Sequence, residues 1–242
     1  MEKLTFGSLF AGIGGFDLGF ERAGLKCEWQ VEIDDYATKV LEKHWPKVRR
    51  QRDIRECGKH NLEYVDVICG GFPCQDISAA NTEGKGLAGH RSSLWFEYKR
   101  IIRELGPGFV VIENVRNLLI RGFDQVLRDL AVLGYDAEWE VLRASQFGAR
   151  HSRERVFIVA YPVCDRLEGR RVLPQEAHVP SLDQVRNWPH VSTPYGLGSR
   201  NGFPNFVDRL RGLGNAVVPQ IAEWIGRQII ESSTDAKNNN KT

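Results

Sequence analysis

Five short apolar runs separated by segments of helical spacing constrain this chain more than any other feature. The runs are Leu4 to Phe10, Cys27 to Val31, Val65 to Cys69, Phe109 to Ile112 and Val156 to Ala160. Phe109 to Ile112 and Val156 to Ala160 are continuously apolar, which is how a strand reads when both of its faces are buried, and the other three are mostly apolar with one or two polar residues among them. The intervening helices are expected at Phe16 to Ala23, from Asp34 or Asp35 to about His44, at Leu94 to Leu105 and at Phe123 to Leu133. Their ends carry matching signals: an Asp cap before the second, Pro46 beyond it, Gly106-Pro107-Gly108 after the third and Gly134 after the fourth. Parallel strands need crossovers of about a dozen residues, and helices supply them. The expected fold is therefore α/β, a Rossmann-like, mostly parallel sheet covered on both faces.

At Pro162 the texture changes. Six of the ten prolines fall between Pro162 and Pro204, without periodicity. Residues 162–206 read as an irregular insert of 45 residues. A last helix is expected from about Pro219 to Ile230, with Ile221, Trp224, Ile225 and Ile229 on its apolar face. The division expected is a main domain of residues 1–161 and 207–231, the insert, and a polar disordered tail over 232–242. The length of 242 residues suits one domain with a small appendage, and 42% hydrophobic with 26% charged excludes a disordered chain.

No apolar run approaches the ~20 residues of a membrane span, and the start has no signal-peptide pattern. Five cysteines at irregular spacing, with no C-x-x-C, argue for reduced thiols in a cytoplasm. Cys27, Cys57, Cys69 and Cys164 read as small buried hydrophobes. Cys and His do not cluster at ligand spacing, so no metal is expected. No heptad or long apolar stripe appears, so the chain is expected to be a monomer. The net charge is only +2, but from Arg143 to Arg211 there are eleven arginines, no lysine and six acids. An arginine-only basic stretch suits phosphate and base contacts.

Three places carry chemistry. Gly12-Ile13-Gly14-Gly15 lies between the first strand and the first helix, where glycines let a ligand approach the backbone. Glu32 ends the next strand about twenty residues on, where an acid can take the ribose hydroxyls of a nucleoside. A dinucleotide fingerprint would need glycine where Asp17 stands. A nucleoside ligand without phosphates at that point, such as S-adenosylmethionine, fits better, and a Rossmann dehydrogenase is disfavoured. Cys74 follows one buried strand and Glu113 another, at the carboxyl ends where open α/β sheets build their sites. A thiol nucleophile and a carboxyl acid placed there suit covalent catalysis.

With these residues in view, the chain resembles the DNA (cytosine-5)-methyltransferases of bacterial or phage type, the kind found in restriction–modification systems. Ser8-Leu9-Phe10-Ala11-Gly12-Ile13-Gly14-Gly15-Phe16 resembles that family's first cofactor motif, and Gly70-Gly71-Phe72-Pro73-Cys74-Gln75 its Pro-Cys loop. Glu113-Asn114-Val115, Arg153-Glu154-Arg155 and Gly214-Asn215-Ala216-Val217-Val218-Pro219 resemble its later motifs, in family order. The resemblance implies an S-adenosylmethionine-dependent methyltransferase domain, a double-stranded DNA substrate, base flipping, and an insert acting as a small target recognition region. It implies Cys74 as the nucleophile toward C6 of cytosine, Glu113 at N3, and Arg153 and Arg155 on the ring carbonyl or a phosphate. For the cofactor it implies Phe10, Gly12, Gly14, Gly15, Glu32, Ile33, Asp53, Ile54, Leu94, Asn215 and Val217. For DNA it implies Ser78 and the insert arginines Arg166, Arg170, Arg171 and Arg186.

Two departures stand out. Gly148-Ala149-Arg150-His151 replaces the family's usual Gly-Val-Pro-Gln ahead of Arg153. The insert is also short for a recognition domain, which implies a target of ~2–4 base pairs, since each base read needs dedicated side chains. Two alternatives remain open from sequence: the same chemistry on RNA such as tRNA, and a non-catalytic DNA-binding module.

Overall fold

The structure, a computed structural model, describes residues 3–73, 94–149, 151–163, 172–173 and 215–239. Among these residues seven strands form one sheet: β1 (Thr5–Leu9), β2 (Lys26–Val31), β3 (Arg49–Gln51), β4 (Val67–Gly70), β5 (Phe109–Val115), β6 (Tyr135–Arg143) and β7 (Glu154–Pro162), in the order β3-β2-β1-β4-β5-β7-β6. The five strands from β3 to β5 run parallel, β7 lies antiparallel to β5, and β6 lies antiparallel to β7. Helices α1 (Gly15–Ala23), α2 (Asp35–His44), α3 (Leu94–Leu105), α4 (Phe123–Val132) and α5 (Pro219–Asn239) join or follow them.

The central strands are mostly apolar because both faces are covered. Along β5, Val110 and Ile112 enter one core with Trp95, Tyr98 and Ile101 of α3, while Val111 enters the other with Phe16 and Phe20 of α1 and Ile225 of α5. The chain reverses its winding at β1, which has β2 on one side and β4 on the other. The carboxyl ends of β1 and β4 diverge there, and such a switch point opens a crevice.

The structure extends or corrects several expectations. β5 does not stop at Ile112. It continues through Glu113, Asn114 and Val115, because β7 supplies an antiparallel ladder opposite them, with Glu113 facing Phe157 and Val115 facing Arg155. Glu113 therefore sits within a strand, not after one. β6 and the three-residue β3 lie at the sheet edges and had no place in the sequence reading. Helix α5 runs on to Asn239 instead of ending near Ile230. Inside the insert, Val172 and Leu173 are fully buried against Phe157, Val159 and Tyr161, so part of that segment belongs to the main core. Glu138 of β6 holds them: its carboxylate accepts from Val172 N (3.1 Å), Leu173 N (3.0 Å) and the Tyr161 hydroxyl (2.8 Å). Cys27, Cys57 and Cys69 are buried free thiols. Cys164 lies outside the described residues.

Candidate active site

A cleft of about 640 Å³ opens at the switch point. One wall is the loop after β1 together with the turn from β2 into α2. Phe10 leaves β1 with φ of 52°, a left-handed conformation costly for a non-glycine residue and characteristic of functional turns. Its ring stacks on Tyr98 at 6.3 Å. Gly12 follows with φ of 56°, and a Cβ placed on it would meet nothing within 4 Å. Its backbone thus faces open space, a cradle for a ligand.

Glu32 ties this loop to the turn. It is 9% exposed; Oε2 accepts from Gly12 N (2.7 Å) and Oε1 from Asp34 N (2.7 Å). Burial raises its pKa, and the two backbone hydrogen bonds oppose the rise. Asp34 in turn caps α2 by accepting from Ala37 N at 2.9 Å. Ile33, 59% exposed, presents an apolar side chain in the same wall. An apolar surface beside a carboxylate is able to receive a base and its ribose hydroxyls.

The opposite wall comes from β5, β7 and the segment after β4. Glu113 is 8% exposed, and its Oε1 lies 2.9 Å from Arg155 Nε. Arg153 precedes β7 and Arg155 lies at its start, and both line the cleft beside Glu113. Burial raises the Glu113 pKa, while Arg155 and then Arg153 pull it back. A buried carboxyl raised in this way holds its proton more readily than an exposed one, which suits acid–base work. Gly71 packs directly against it; a Cβ there would fall 2.8 Å from Glu113 Oε2. Asn114 donates Nδ2 to the Phe72 carbonyl at 3.3 Å and so fastens the segment Gly71-Phe72-Pro73, all three of which line the cleft. Cys74 follows Pro73 in sequence and lies outside the described residues, as do Ser78, Arg166, Arg170, Arg171 and Arg186. Asn215 and Ala216 close the cleft ahead of α5.

Of the cofactor residues named from sequence, Phe10, Gly12, Glu32, Ile33 and Asn215 meet in this cleft. The others do not line it. Asp53 caps a short 3₁₀ turn (Ile54–Glu56), and its carboxylate is held by Arg55 through the backbone N (3.0 Å), Nε (2.9 Å) and Nη2 (2.7 Å). That arginine keeps the Asp53 pKa low. Ile54 is buried in the core, and Leu94 packs against the same core at the start of α3. Gly14 caps α1 with φ of 87°. Gly15 and Val217 contact each other: a Cβ on Gly15 would lie 2.4 Å from the Val217 carbonyl oxygen. They bring the two ends of the chain together instead of facing the cleft. Asn114, Tyr36 and Pro73 are cleft residues absent from the sequence-derived roles. Asn114 was within reach as the middle of Glu113-Asn114-Val115. Among the described residues no group of His, Cys, Asp and Glu is arranged to hold a metal, and no helix is long and apolar enough to cross a membrane.

Sheet order, the reversed β7 and a cleft at the switch point define a Rossmann-like methyltransferase fold. A solved methyltransferase of Entamoeba histolytica, EhMeth, superposes with a TM-score of 0.56 at 19% identity, over 66% of this chain and 53% of that one. The family model for C-5 cytosine-specific DNA methylases matches residues 4–188, and the chain belongs to that family. It is 37% identical over 163 residues to the type II methyltransferase M.BsuFI of Bacillus subtilis, covering 66% of this chain and 39% of that protein. It is 33% identical over 165 residues to the type II methyltransferase M.HhaI of Haemophilus parahaemolyticus, covering 66% and 50%. The chain thus spans half or less of the length of these two relatives.

Proposed function

We propose that this chain transfers a methyl group from S-adenosylmethionine to C5 of cytosine in double-stranded DNA, with Cys74 as the covalent nucleophile and the target base flipped out of the duplex. The observation that carries the reading is Glu113: a buried carboxyl with a raised pKa, paired with Arg155, facing a cleft whose other wall suits a nucleoside. The cofactor fits that other wall. Gly12 would admit it to the backbone, Ile33 would pack on the base, and Glu32 would meet the ribose. When bound, it supplies an electrophilic methyl group on a sulfonium.

The protein's own task is to make cytosine reactive. C5 of the free base is a poor nucleophile. The Cys74 thiolate would bond to C6, and the electron pair released would move onto C5 and toward N3. Glu113 would hold a proton at N3, where charge develops, and Arg155 fixes that carboxyl in place. Asn114 positions the segment leading to Cys74 through the Phe72 carbonyl. After the C5 substitution a base removes the C5 proton and the C6–S bond breaks, returning the thiolate. Flipping the base costs a few kcal/mol, which pocket and phosphate contacts must offset. Arg153 and Arg155 supply cationic groups for that on this wall. The short insert suits a target of ~2–4 base pairs.

The test is transfer of labelled methyl to plasmid DNA and to tRNA, with bisulfite sequencing of the DNA product, wild type beside Cys74→Ala. Cytosine methylation of the duplex by wild type alone supports the reading. Label on tRNA only moves the substrate to RNA, and label on neither overturns the enzymatic reading.

A further inference from the structure

The turn between β2 and α2 forms one wall of the cleft, yet part of what holds it comes from outside the cleft. Glu32, Ile33, Asp34, Asp35, Tyr36 and Ala37 all line the cavity. Such a run of consecutive residues keeps its shape only where its polar groups are tied down. Glu32 and Asp34 do this from within. The outer side is held by Arg52, which follows β3 and does not line the cleft. Its Nη1 donates to the Thr38 hydroxyl at 2.7 Å, and its Nη2 donates to the Ile33 carbonyl and to the Asp35 carboxylate. The Thr38 hydroxyl passes the connection on by donating to the Asp34 carbonyl at 2.8 Å. One planar guanidinium therefore spans three points of the turn. The ion pair with Asp35 is exposed and worth little by itself. The carbonyl of Ile33 and the hydroxyl of Thr38 make the difference, because they fix the backbone on either side of the residues facing the cavity.

We infer that Arg52 is a positioning residue for the nucleoside end of the cofactor. It sets Ile33, the exposed apolar residue of that wall, and the carbonyl side of Glu32 in the geometry a nucleoside meets on binding. The inference rests on the reading of this cleft as an S-adenosylmethionine site. Arg52 touches neither the reacting methyl nor Glu113, so its loss acts on binding and not on the chemical step. A lysine reaches the same region but cannot fork across separate acceptors, so it replaces the brace only in part.

The experiment uses the full chain and two probes, S-adenosylhomocysteine and adenosine, by calorimetric titration, with kcat at saturating S-adenosylmethionine alongside. Wild type is measured first; no binding of either probe removes the cofactor reading and the inference with it. With wild-type binding in hand, Arg52→Ala is expected to raise both dissociation constants about tenfold, the scale of lost hydrogen bonds to a charged group. The factor is the same for both probes because both contain the nucleoside. Arg52→Lys falls between, and kcat stays within about twofold. Unchanged dissociation constants, or a fall in kcat with binding intact, overturn the assignment. Should Arg52→Ala not fold, Thr38→Val removes one of the three anchor points and is expected to shift both constants in the same direction by a smaller factor. No shift there is equally fatal to the inference.

Discussion

Gly19 lies in the middle of α1, where an alanine would ordinarily stabilise the helix by about 1 kcal/mol. The structure reverses that sign. A Cβ on Gly19 would fall 2.3 Å from the Pro219 carbonyl oxygen, 2.5 Å from the Ala222 Cβ and 2.8 Å from Glu223 N. Ordinary contact begins near 3.4 Å, so the first turn of α5 must recede by about 1 Å. Two of the three obstacles are backbone atoms, which cannot rotate aside. Overpacking costs about 1–3 kcal/mol, and rigid backbone obstacles this close put Gly19 at the upper end, about 2–3 kcal/mol. Set against the propensity gain, Gly19→Ala is expected to lose about 1–2 kcal/mol net. For a chain of this size that lowers Tm by roughly 3–6 °C. The same displacement moves Asn215 and Ala216, which line the cleft just ahead of α5, so affinity for S-adenosylhomocysteine should weaken in parallel. Thermal unfolding by circular dichroism and calorimetric binding read the two effects. A Tm equal to or above wild type would refute the close α1–α5 seam and the steric reasoning built on it.

Three further outcomes follow from buried carboxylates. Burial raises Asp17 to about 6 from 3.8, although Gln30, Cys27 and Ser8 all donate to it. A raised pKa means the folded state holds the proton more tightly, so this stabilisation is complete below about pH 4 and is lost as pH rises through 6. The loss amounts to about 3 kcal/mol. Urea unfolding of Asp17→Asn should therefore gain on wild type by up to that amount between pH 4 and pH 7; a gap independent of pH contradicts the account. Glu113→Gln should lower kcat at least about a hundredfold while leaving the S-adenosylhomocysteine dissociation constant within about twofold, and comparable losses in both would argue against a role at the target base. Glu138→Ala leaves the Val172 and Leu173 amides and the Tyr161 hydroxyl without this acceptor. It should cost about 3 kcal/mol and Tyr161→Phe about 1, measured by denaturant unfolding; equal small effects would show that the anchor carries no weight.

What was legible in the sequence was what local pattern specifies. The buried parallel strands, the Asp34 cap and the limits of α3 follow from runs of apolar residues and caps close in sequence. β6 was within reach of the sequence, because Tyr135 to Val141 alternates apolar and acidic residues as a strand with one exposed face does, unlike the buried parallel strands. It is an edge strand carrying Asp136, Glu138 and Glu140 between its apolar residues, and Trp139 remains 44% exposed. β3 is three polar residues long and exists only because β2 pairs with it. The cleft was legible where one short motif supplies both backbone and side chain, as at Phe10 to Gly12 and at Glu113. It was not where partners are distant in sequence. Arg55 holds the Asp53 carboxylate, Gly15 meets the Val217 carbonyl, and Arg52 reaches back to Ile33. None of these contacts leaves a periodic trace.

The most direct test of the central claim is intact-mass spectrometry of the protein after incubation with S-adenosylmethionine and a duplex containing 5-fluorocytosine. Fluorine cannot leave C5 as a proton does, so a C6–S bond once formed persists after methylation. The account predicts a denaturation-stable protein–DNA adduct with wild type and none with Cys74→Ala. A wild-type protein that methylates ordinary cytosine yet forms no adduct, or an adduct that survives Cys74→Ala, would contradict it.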